Sequence, residues 1–120
     1  MGLMRNPDAR HIDFTDLNGV YKNYVPSNID MVYERNGYFL VGEWKRPNEK
    51  LGGGQHILLK QLARQPRFVV IIIQGNTDDG MHIDEFWLLK SDGTQKSLGK
   101  SLESLKKFIR KFFTEIAEKL

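Results

Sequence analysis

The clearest hydrophobic and polar patterning lies between residues 29 and 120. Residues 29–35 and 38–45 are rich in β-branched and aromatic side chains. Asn36-Gly37 between them is a strong short-range signal for a two-residue hairpin turn. Residues 55–64 place Ile57, Leu58, Leu62 and Ala63 at helical spacing, so a short amphipathic helix is predicted there after the break at Gly52-Gly53-Gly54. Residues 68–73, Phe-Val-Val-Ile-Ile-Ile, are apolar without alternation, which suits a central strand buried on both faces. A polar turn over 76–80 leads to a further strand at 85–89, closed by Ser91-Asp92-Gly93. From 102 to 120, apolar residues recur at 102, 105, 108, 109, 112, 113, 116, 117 and 120, the stripe of one helix. Ser101 stands as its N-cap, and Glu103 complements the helix dipole. The first 28 residues are polar and weakly patterned, with a short helix over 13–17. The sum is a single domain spanning 1–120, of α/β or α+β class, with a mixed central sheet of four or more strands flanked by helices.

Composition narrows the chemistry. Eighteen Lys and Arg against 15 Asp and Glu leave a net charge of +3, a surplus that permits nucleic acid without demanding it. The chain has no cysteine, which excludes disulfides, thiolate zinc sites and cysteine nucleophiles, so any metal must use oxygen or histidine ligands. The longest apolar run is too short to span a bilayer, no signal-peptide stretch opens the chain, and Asn6 breaks the myristoylation pattern begun by Gly2. The expectation is a soluble, intracellular, cytoplasmic protein with no membrane partner.

A two-residue turn at Asn36-Gly37 pairs Arg35 with Tyr38 and, counting outward, Asp30 with Glu43. Directly opposed residues hold their Cβ atoms about 4.5–5.5 Å apart and leave the sheet on one face. The alternation of strand side chains adds Lys45 to that face, together with Val32 and Val41, which implies partial cover by a helix or loop. Two opposed carboxylates repel, and partial burial makes the repulsion worse. Lys45 relieves part of it. A divalent cation bridged by both acids relieves more, and oxygen ligands suit Mg²⁺ or Mn²⁺. Such an ion polarises a phosphoryl oxygen and acidifies a bound water, while Lys45 orients that water or stabilises charge on the phosphorane. These are the requirements of phosphodiester hydrolysis. An acid-x-lysine triplet near a strand end is otherwise an ordinary exposed ion pair.

The string from Pro26-Ser27-Asn28-Ile29-Asp30 through Val41-Gly42-Glu43-Trp44-Lys45 to Gly54-Gln55 resembles the PD-(D/E)XK, restriction-endonuclease-like nuclease superfamily. Small phage-type and junction-resolving nucleases of that superfamily are similar in size. The resemblance covers roughly residues 26–74 and implies a restriction-endonuclease-like core. Carried over residue by residue, it implies Asp30 and Glu43 as metal ligands, the Trp44 backbone carbonyl completing the shell, Lys45 as catalytic lysine and Gln55 as a water- or backbone-positioning group. It implies Mg²⁺ (or Mn²⁺) as cofactor, DNA, branched or single-stranded, as substrate with RNA left open, and host cytoplasm if the protein is phage-encoded. The core of such nucleases usually has a strand before the Asp strand, for which 19–25 is the weak strand candidate, and many members carry a further acid on an N-terminal helix. Here Asp13 or Asp16 is available, and no pattern selects between them; either this part is trimmed or a second subunit completes the site as a homodimer.

Other features carry weaker signals. Lys106, Lys107, Arg110 and Lys111 cluster on the polar side of the last helix with Lys100 just before it, a solvated face or a groove for DNA phosphates. His56, beside Gln55, is a candidate phosphate contact. Phe108, Phe112 and Phe113 form a stripe for the core or for a dimer interface. Two alternatives to a nuclease therefore stand: a catalytically inactive nucleic-acid-binding module on the same fold, and a phage-type protein-interaction subunit.

Overall fold

The structure is a computed structural model that describes residues 14–22, 26–47 and 53–117. Strands β1 (Met31–Arg35), β2 (Tyr38–Lys45), β3 (Phe68–Asn76), β4 (His82–Leu89) and β5 (Gln95–Gly99) form one sheet in the order β1-β2-β3-β4-β5. Neighbours are antiparallel except β2 and β3, which run parallel. Parallel neighbours need a crossover, and helix α1 (Gly53–Ala63) supplies it. Helix α2 (Leu102–Lys111) runs on into a π-helical segment, Phe112–Ala117. The expected mixed sheet flanked by helices, of α+β class, is thus present.

The hairpin register is the one that the turn predicts. Asn36 and Gly37 both take positive φ, 53° and 80°, as a type I′ turn requires, and Arg35 faces Tyr38 while Met31 faces Gly42. Glu34 locks the turn by accepting from the Gly37 amide at 2.9 Å.

Two apolar layers hold the sheet between the helices. On one face Leu59 of α1 packs with Val41, Val70, Ile72 and Leu89. On the other, Leu105, Phe112 and Ala117 pack with Leu40, Ile71, Ile73 and Phe86. β3 contributes to both, which explains its unbroken apolar run: Val70 to Ile73 are all buried. α1 covers Val41 but leaves Val32 on edge strand β1 exposed.

Three features depart from the sequence pattern. α1 begins at Gly53, so Gly53-Gly54 lie in its first turn instead of forming a free break; Gly52 is outside the described residues. β5 was not anticipated, because Gln95, Lys96 and Ser97 are exposed polar residues with no apolar alternation. The last helix changes pitch at Phe112. Phe112 and Ala117 are five residues apart and both fully buried, a spacing that the wider π turn brings to one side. The segment also braces the hairpin: Asn36 Nδ2 donates to the Ala117 carbonyl at 3.0 Å, and Tyr33 meets Phe113 edge-on at 5.4 Å. Ser101 is the α2 N-cap, accepting from the Ser104 amide at 3.1 Å.

Near the N-terminus Thr15–Leu17 is a single 3₁₀ turn. Residues 19–22, part of the weak strand candidate, form a turn with positive φ at Gly19 and Lys22; 23–25 lie outside the described residues, as does Asp13. No helix among the described residues is long and apolar enough to cross a membrane.

Candidate functional site

Antiparallel pairing exchanges hydrogen bonds at every second residue pair, so after Arg35/Tyr38, Tyr33/Leu40 and Met31/Gly42 the next β2 amide to face β1 is that of Trp44. That amide donates to Asp30 Oδ2 at 2.9 Å. The Asp30 side chain, one residue before β1 begins, thereby takes the place of a backbone acceptor and ends the ladder. The Trp44 carbonyl leaves the strand on the same edge as its amide, toward Asp30.

Glu43 is the one charged residue among those described that is buried, at 3% exposure. It faces the α1 layer with Val41, and Gln55 Nε2, in the first turn of α1, donates to its Oε1. Removing a carboxylate from water is expensive, and a hydrogen-bond donor with the positive end of a helix nearby offsets part of that cost. In cross-sheet register Glu43 sits beside Ile72, and Ile72 beside Trp87. Lys45, on the same face, lays Nζ over the Trp87 ring at 5.5 Å from its centroid, a cation–π contact that draws the amine across β3.

Three pairings thus arise from the predicted set: Glu43 with Gln55, Asp30 with the Trp44 backbone, and Lys45 with Trp87. No group of three or more His, Asp or Glu side chains among the described residues is placed to share a metal ion. The two carboxylates are engaged separately, Asp30 by the Trp44 amide and Glu43 by the Gln55 side chain. Carboxylate and carbonyl oxygens are the donor type that a hard cation such as Mg²⁺ takes, one or two carboxylates at a time with retained waters.

At the carboxyl ends of the parallel strands β2 and β3 lies an open cleft of about 590 Å³ whose walls include Asp30, Trp44, Lys45 and Arg46 together with Asn76 and Met81; Lys45 belongs both to it and to the Glu43 row, while Met31 and Trp44 come from the α2-side layer. Crevices beyond the carboxyl ends of parallel strands are where sheets flanked by helices place ligands. The far wall depends on a bulge. The β3–β4 register shifts between Gln74 and Gly75, and a Cβ on Gly75 would overlap the His82 carbonyl oxygen.

The remaining candidates are dispersed. Lys106, Lys107, Arg110 and Lys111 ride on α2, which covers the sheet face opposite α1, with Lys100 just before it; Lys106 pairs with Glu103 at 3.7 Å. Asp16 is exposed in the 3₁₀ turn, and His56 is half-buried in α1. Phe108, Phe112 and Phe113 pack in the core layer under α2 and its π-helical extension. Sequence reasoning missed Trp87, Arg46 and the Asn76–Met81 wall. Arg46 was visible as the basic neighbour of Lys45; the others are joined to the site only by pairing across the sheet. No protein-family model, curated protein or solved structure matches the chain.

Proposed function

We propose that the chain is a metal-dependent nuclease that hydrolyses phosphodiester bonds of DNA. The observation that carries this is Glu43, a buried carboxylate on the hairpin face, held by Gln55 and one register step from the Asp30 and Trp44 pair. Burying a carboxylate is costly, and buried acids of this kind concentrate at functional sites. Asp30, Glu43 and the Trp44 carbonyl would hold the ion. Once bound, it would polarise a phosphoryl oxygen and acidify a water. Gln55 fixes the Glu43 carboxylate in one orientation. Lys45, released from Trp87, offers an ammonium to the phosphate on the same face. The test is incubation with single-stranded, linear, branched and plasmid DNA in Mg²⁺ or Mn²⁺. Cleavage by the wild type that is lost in both Asp30→Asn and Glu43→Gln supports the proposal, and absence of cleavage, or equal cleavage by the variants, defeats it.

A second reading is favoured by the Asp30–Trp44 bond, which gives Asp30 a purely structural task. It makes the chain a nucleic-acid-binding module without catalysis. Salt-dependent DNA binding that is indifferent to Mg²⁺, with no cleavage, is its signature.

A further inference from the structure

We propose that the cleft at the ends of β2 and β3 seats one unpaired DNA nucleotide, so that the preferred substrate is single-stranded or frayed at the cut. The inference rests on the nuclease reading for the position of the phosphate, and on the cleft itself for what lies next to that phosphate.

The cleft's volume, about 590 Å³, falls within the roughly 300–1,000 Å³ range of small-molecule sites. It has room for a nucleotide. Its chemistry is divided to match. Met31, Trp44 and Met81 supply apolar and polarisable surface for a base, and Met81 remains 40% exposed on the turn before β4. Asn76 and Thr77 bring an amide and a hydroxyl, the groups that read a base edge. The Asn76 amide is oriented because its Oδ1 accepts from the Asp78 amide at 3.3 Å. Lys45 and Arg46 line the cleft as cations for the phosphate. Arg46 meets Asp78 at 3.5 Å, with both side chains about two-thirds exposed. Exposed pairs of this kind are worth about 0–1 kcal/mol, so the Asp78 contact is a weak competitor for a phosphate at Arg46.

A base inside a duplex is stacked and paired, and entering such a seat requires extruding it. A base that is already unpaired avoids that expense. The arrangement therefore discriminates by strandedness, with stacking surface and cations serving any sequence.

The experiment measures binding of a fluorescein-labelled 12-nucleotide single strand and of the blunt duplex of the same sequence, in EDTA so that nothing is cut. The wild type is expected to bind the single strand at least about tenfold more tightly. Met81→Ala and Asn76→Ala should each weaken single-strand binding about fivefold and leave duplex binding unchanged, whereas Met81→Phe should tighten it. Asp78→Asn, which removes a carboxylate competing with phosphate for Arg46, should tighten binding of both. Equal affinity for the two forms, or variants that weaken both alike, overturns the seat. Cleavage assays in Mg²⁺ run beside this report separately on the nuclease reading: cutting without strand preference sinks the seat alone, and strand-selective binding without cutting sinks the nuclease alone.

Discussion

Replacing Glu43 by Gln separates stability from catalysis at one position. Glu43 is 3% exposed, and an amide of nearly the same shape keeps an oxygen where Gln55 Nε2 donates. What the substitution removes is the charge, whose burial costs several kcal/mol and is offset in part by the Gln55 donor and the nearby helix end. Without metal, Glu43→Gln should therefore be more stable than wild type by about 1 kcal/mol or more. With a urea slope on the order of 1.5 kcal/mol/M, the unfolding midpoint rises by about 0.7 M. Metal reverses the order. An ion bound with a dissociation constant about a hundredfold below its concentration stabilises the wild type by about 2.7 kcal/mol, and the variant, short of a charged ligand, gains little. Urea melts of both proteins in EDTA and in Mg²⁺ give the four midpoints. If Glu43→Gln is destabilised in EDTA by more than about 1 kcal/mol, the carboxylate serves the fold; if Mg²⁺ raises both proteins equally, it is not a ligand.

Other consequences follow from the packing. Gly75→Ala drives a methyl group into the His82 carbonyl, so it should destabilise the protein by about 1–3 kcal/mol and perturb amide shifts around Asn76 in NMR spectra; a neutral effect would mean that the bulge is loose. Phe112→Ala empties a fully buried site under the sheet and should cost about 3–5 kcal/mol in denaturant melts, whereas a loss below about 1 kcal/mol would contradict its place in the core. The Asp92 carboxyl, held by the Thr94 hydroxyl and amide at 2.6 and 2.9 Å, should titrate below its ordinary value of 3.8 when followed by NMR, and Thr94→Val should raise it. Because the folded value is depressed, this pair contributes stability above the ordinary carboxyl range and loses it as pH falls through the folded value.

The hairpin, α1, β3 and the N-cap of α2 were legible in the chain because each follows from a short-range rule: a two-residue turn that demands positive φ, a helical spacing, an apolar run, a serine before a stripe. The Asn36-Gly37 turn alone determined the hairpin register from Arg35/Tyr38 to Met31/Gly42, beyond which Asp30 leaves the ladder and caps the Trp44 amide. β5 escaped because a polar edge strand has no pattern of its own, and its pairing with β4 defines it. The same limit applied to the site. Local spacing put Glu43 and Lys45 on one face, but only the folding of α1 over β2 buried Glu43 against Gln55, and only the approach of β4 brought Trp87 under Lys45. The cleft likewise depends on the β3–β4 bulge at Gly75. Strand pairing and helix packing join residues far apart in the chain, and their energies belong to surfaces that exist only after the sheet has formed.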